Sequence, residues 1–222
     1  MLIASIKKQT VSIPTPVPVS LVRSIWNGTR KAFLIAAAIF LALAISRVPA
    51  VQDKQRTAEA VKKIHAQKIT MADVMGQNLP PEPDPRLNDY TVEGIDANGN
   101  GIRDDVELAI FKLHPDSARI RAAELQYAME LQGELIWIFN SDTWVAAVKY
   151  ESGVDCLVDV AFSKYTDIKD QIGKSDKWKK EVDDLVLNNN LRKSKKAEID
   201  KYETAFATGT KDCNVDINTL SN

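Results

Sequence analysis

No acidic residue occurs before Asp53, and within that acid-free stretch Ala32 to Ile45 are fourteen consecutive apolar residues. Such a run has no polar side to offer water, so it cannot be a solvated surface helix. Lys7, Lys8, Arg23, Arg30 and Lys31 precede it, and Arg47 follows two residues after its end. At ~1.5 Å per residue the run is short for a bilayer, which takes about 20 residues, and suits the apolar region of a secretory signal. The one-sided basic flank holds the N-terminal end on the cytoplasmic side and directs everything after residue 52 across the membrane. Val48-Pro49-Ala50 supplies small residues for cleavage, but the 31 residues ahead of the run are long for a cleaved signal. Among them, Ile13-Pro14-Thr15-Pro16-Val17-Pro18 is predicted to be extended. Residues 32–51 therefore read as a signal anchor, with Trp26 near the interface and Arg47 snorkelling outward. Cleavage near Ala50 is the alternative. No cysteine stands just after the run, which removes a lipoprotein anchor.

The formal net charge of −1 conceals two parts of opposite sign. Six bases and no acid lie in residues 1–52, whereas residues 53–222 hold 23 of the 29 bases and all 30 acids, a net of −7. The two cysteines, Cys156 and Cys213, both fall in the acidic, exported part. An oxidising compartment would let them pair, closing a loop of roughly 58 residues and contributing ~4 kcal/mol in the chain-entropy model. Two unrelated buried thiols are the alternative. Neither the cysteines nor the two histidines, His65 and His114, have the spacing of a zinc centre.

The exported part is predicted to be all-α, an irregular helical bundle. Residues 52–78 hold a helix over Asp53 to Gln67 and a short turn from Thr70 to Met75. Four prolines in Pro80-Pro81-Glu82-Pro83-Asp84-Pro85 make residues 79–88 an extended, semi-rigid linker and the clearest boundary in the chain. Within 89–222, Asp89 to Ile95 reads as extended. Helices follow over Asp105–Leu113, from a cap at Asp116 or Ser117 to about Phe139, from a cap at Asp142 through Val148, wholly or partly over Val154–Tyr165, and over Ser175–Leu187 and Leu191–Ala207, with Gly153 and Gly173 as punctuation. Trp137, Phe139 and Trp144 cluster at a helix break and read as core.

The chemistry lies in Asp96-Ala97-Asn98-Gly99-Asn100-Gly101-Ile102-Arg103-Asp104-Asp105-Val106-Glu107. Counted from Asp96, oxygen-bearing side chains occupy positions 1, 3, 5, 9 and 12, and position 6 is Gly, which is the ligand pattern of a 12-residue calcium loop. Asp96, Asn98 and Asn100 would each give one oxygen, Ile102 its carbonyl, Asp104 one oxygen directly or through water, and Glu107 both carboxylate oxygens. Gly101 allows the positive-φ turn that wraps the chain around the ion. The apolar residue stands at position 7 instead of 8, and no helix leads in. The loop is therefore similar to the single EF-hand-like loops of dockerin modules and thrombospondin type 3 repeats. Together with Leu79-Pro80-Pro81-Glu82-Pro83-Asp84, it also resembles a segment of uncharacterised bacterial envelope proteins, a resemblance of about 30 residues that implies no activity.

A competing reading is a plain turn followed by a capping box, Asp104-x-x-Glu107, at the start of a helix. Calcium is preferred because a capping turn has no need of oxygens at positions 1, 3 and 5, and because four acids within twelve residues repel one another unless a cation joins them. Two Asn in place of Asp and a missing partner loop predict weak binding, about 10⁻⁴–10⁻³ M. On this reading Asp96→Ala lowers the melting temperature in calcium and changes little in a chelator.

Other signals are bland. His114 reads as a helix-terminal residue before Pro115. The bases from Lys177 to Lys196 alternate with acids, and Lys177–Glu181 and Lys180–Asp184 stand at i,i+4, which reads as a solvated face and not as a nucleic-acid surface. The expectation is a non-enzymatic Ca²⁺-binding domain held on the periplasmic side of a bacterial inner membrane by residues 32–51. It would have a structural or interaction role toward an unknown envelope protein or polymer. The alternative is a divalent-metal-dependent envelope hydrolase that uses the Asp96–Glu107 carboxylates.

Overall fold

A computed structural model describes residues 19–149, 152–203 and 213–221, with side chains from residue 30 onward. Residues 13–18 and 204–207, predicted as extended and helical, lie outside the described residues. The chain divides into two compact units, Met1–Asp53 and Lys54–Asn222. The described residues are all-helical, without a strand.

The first helix, α1 (Val19–Ala66), continues through Arg47 and Pro49 without a break. The apolar run and the predicted Asp53–Gln67 helix are therefore one element. From Arg30 the helix is long and apolar enough to cross a membrane, with a mean hydropathy of 2.2 over its best 18 residues, none of them buried.

In the second unit, short turns precede the long helices. Thr70 caps α2 (Met71–Val74) through a capping box with Asp73. The expected linker is not extended throughout. Asp84 accepts from Arg86 N at 2.8 Å and starts one helical turn, α3 (Pro85–Asn88), with Pro85 at its first position. There the missing N–H costs nothing, so proline ends the extended stretch instead of prolonging it. Asp89 to Ile95 is also not a strand but a series of bends. The buried Asn88 bridges them by accepting from Ile95 N at 3.0 Å.

The core is built around α5 (Ala118–Trp137), capped by Ser117. Ala122, Ala123, Leu125, Ala128, Met129, Leu131 and Leu135 bury more than one side of it, which requires partners all round. The partners are α4 (Asp104–Leu113), α7 (Gly153–Lys164), α8 (Ile168–Val186) and α9 (Asn190–Ile199). Gly153 permits the close approach of α7, since a Cβ there would lie 2.6 Å from Tyr127 Cα. Asn140, not Asp142, caps α6 (Ser141–Val148). Gly173 does not interrupt α8, which starts at the Asp167 cap. Trp137 and Trp144 pack half-buried against the core, as expected, and Lys63 lies over the Trp137 ring.

Cys156 and Cys213 are joined by a disulfide with a Cα–Cα distance of 4.9 Å. It fastens the C-terminal segment to the buried side of α7.

Candidate metal centre

The 96–107 loop is wound by its own side chains. Asp96 Oδ1 accepts from Gly99 N at 2.8 Å and Asn100 N at 3.2 Å, and its Oδ2 accepts from Gly101 N at 2.9 Å. Gly99 and Gly101 adopt φ of +72° and +88°, the left-handed region that glycine enters without strain. Asn98 Oδ1 accepts from Asn100 N and Asn100 Oδ1 from Ile102 N, so each oxygen-bearing residue folds the next step of the loop. The Ile102 side chain is wholly buried and pins the loop to the core.

The closing carboxylates are buried. Glu107 has no exposed surface, and Asp104 almost none. Glu107 Oε2 accepts from Asn98 Nδ2 at 2.9 Å and Asn100 Nδ2 at 3.1 Å, while its Oε1 is buried without a partner. Asp104 Oδ1 accepts from Ala97 N at 2.9 Å, and its Oδ2 is likewise buried without a partner. Burial pushes both carboxyls above their ordinary range. The two Asn amides oppose this at Glu107, and the Ala97 N–H opposes it at Asp104. The amide N–H groups meet Glu107 where a cation would, so seating an ion requires Asn98 and Asn100 to turn Oδ1 toward it.

The capping box is not formed. Arg103, not Asp104, is the N-cap of α4, it makes no side-chain cap, and Asp104 N donates to Ile95 O at 2.8 Å. Arg103 instead runs inward. Its guanidinium pairs with Asp105 and donates to Leu185 O and Val186 O, which ties the loop to the end of α8. That pairing takes Asp105 out of the acidic crowd. It is invisible in sequence, because the carbonyl partners lie more than 80 residues away. A cleft beside the loop is lined by Lys63, Gln67, Trp137, Asp96, Asn98 and Asn100.

Among the described residues, one set of three His, Cys, Asp or Glu side chains places a ligand atom of each within 4.8 Å of the others, and it lies elsewhere: His114, Glu124 and Glu181. His114 is the C-cap of α4, as its position before Pro115 suggests, but its ring also faces two carboxylates. Glu124 and Glu181 lie on two other helices, so the spacing of residues around His114 does not reveal the set.

Comparison of the chain with protein-family models, curated proteins and solved structures found no match.

Proposed function

We propose that this chain is an extracytoplasmic, membrane-anchored helical domain that binds Ca²⁺ in its 96–107 loop, with a structural or protein-interaction role and no catalytic one. The apolar stretch of α1 is the anchor in a bacterial inner membrane, and the disulfide accords with an oxidising compartment beyond it. Asp96, Asn98, Asn100, the Ile102 carbonyl, Asp104 and Glu107 are the ligands. The partner, an envelope protein or polymer, is met by the helical unit.

One observation carries the calcium reading: Glu107, fully buried at position 12, has one oxygen against two Asn side chains and the other against nothing. A buried carboxylate left in that state is costly, and a hard divalent ion with a preference for six to eight oxygens removes the cost. The wound backbone of the loop supports the reading, with Asp96 gathering three backbone N–H groups. An ion there fixes the 88–103 segment against the start of α4. This favours a structural ion over a hydrolytic one, which needs positions open to substrate.

The test is calorimetry and thermal melting of the full chain in detergent, in millimolar Ca²⁺ and in chelator. Heat of binding with a midpoint of about 10⁻⁴–10⁻³ M, and a higher melting temperature in Ca²⁺, are expected. Absence of both disproves the reading, and a divalent-ion-dependent hydrolase activity lost in Glu107→Gln would replace it.

A further inference from the structure

We propose that His114, Glu124 and Glu181 form a second metal site, for a divalent first-row transition ion of the zinc class, which joins the end of α4 to α5 and α8. The site is independent of the calcium loop and rests on none of its residues.

The donors are brought together by three helices that pack on one another. His114 Nε2 stands 3.0 Å from Glu124 Oε1 and 3.9 Å from Glu181 Oε2. Donors about 2.1 Å from a tetrahedral ion lie about 3.4 Å apart, so these separations straddle the required edge. Glu124 has no exposed surface, and its second oxygen is buried without a partner. The Glu181 oxygen that faces His114 is also buried without a partner. In an ion-free core each of these oxygens is a desolvated acceptor without a hydrogen bond, a cost that a bound cation would relieve.

The chemistry of the set selects the ion. One imidazole nitrogen and two carboxylate oxygens suit a borderline ion, and the nitrogen disfavours Ca²⁺ and Mg²⁺. Two carboxylates balance the charge of a divalent ion. Lys177 Nζ, 3.1 Å from Glu181 Oε1, stays as an outer partner that orients that carboxylate. Binding displaces the hydrogen between Nε2 and Oε1, which moves to Nδ1 of a neutral ring or leaves as H⁺ from a charged one. The side chains of His114 and Glu181 retain 14% and 25% exposure, which gives the ion a route in.

The full chain in detergent, freed of metal with a chelator, is titrated with Zn²⁺, and separately with Co²⁺ as the visible-absorption probe. One Zn²⁺ per chain and a Co²⁺ ligand-field band are expected, both retained in Glu107→Gln. Affinity should fall at least about tenfold, with loss of the band, in His114→Asn and in Glu124→Gln. Glu181→Gln, at the most exposed of the three positions, keeps the test informative where a core variant fails to fold. Equal Zn²⁺ affinity in the wild type and the folded variants, or no Co²⁺ band, would overturn the site. Loss of the signal in Glu107→Gln with retention in His114→Asn would move the ion to the loop and also overturn it.

Discussion

Arg192 Nη1 lies 2.7 Å from Asp89 Oδ1, joining α9 to the end of the Pro-rich segment across 103 residues of sequence. The guanidinium is fully buried, and it also donates to Asn88 O at 2.5 Å, Thr91 O at 3.2 Å and Val92 O at 3.2 Å. These bends have no helix or sheet ladder of their own, so one arginine supplies the donors that their carbonyls lack. Arg192→Met keeps much of the bulk and removes every donor. It should cost about 2–4 kcal/mol, read as a lower urea midpoint. Asp89→Asn should cost far less, because Asp89 is half exposed and Arg192 keeps its backbone acceptors.

The loop requires a different variant from the one that spacing suggests. Asp96 accepts three backbone N–H groups without any ion, so Asp96→Ala should destabilise the protein in chelator as well as in calcium. Glu107→Gln separates the two contributions. In chelator it removes a buried carboxylate whose pKa burial has raised, so the melting temperature should hold or rise. In millimolar Ca²⁺ it removes the bidentate ligand, and the calcium-induced rise should vanish.

Local signals in the chain were legible where local physics decides. Ser117, one of two adjacent cap candidates, and the Gly101 turn stand where short-range hydrogen bonding requires them, and α5 follows its apolar recurrence. The all-α class and the apolar N-terminal helix were legible for the same reason. What was hidden depends on tertiary partners. Arg192 falls in a stretch that reads as a solvated face, yet it and Arg103 are buried on carbonyls distant in sequence. The Pro-rich segment reads as a linker, but the compact unit runs from Lys54 across it, and Arg192 fastens its end. His114 looked terminal because nothing local reveals Glu124 and Glu181 beside it.

The disulfide should be worth about 4 kcal/mol, since its cysteines are 57 residues apart and cross-linking at that separation removes much unfolded-chain entropy. Cys156 is wholly buried, so Cys156→Ala with Cys213→Ala also leaves a small gap in the core. The double variant should lower the urea midpoint somewhat more than reducing agent does in the wild type, the excess coming from that gap. Equal stability of oxidised and reduced protein would argue against the bridge.

Glu130 gives the unit a stability that falls as pH rises. Burial raises its pKa from 4.5 to about 7, although Ser152 N and Gly153 N donate to it at 3.1 and 2.7 Å. A carboxyl with a raised folded pKa binds more protons when folded than when unfolded. Between pH 4.5 and about 7 its contribution therefore drops with pH, by at most ~1.4 kcal/mol per unit, and levels off above. Glu130→Gln keeps an acceptor for the start of α7 and removes the titration. The difference in unfolding free energy between variant and wild type should grow in favour of the variant from pH 5 to 7 and then stay constant. Comparing the two proteins at each pH cancels the other carboxyls, including Asp89, whose pKa Arg192 lowers and whose contribution is lost toward acid. A difference that does not change with pH would place the Glu130 carboxyl in an ordinary, hydrated setting.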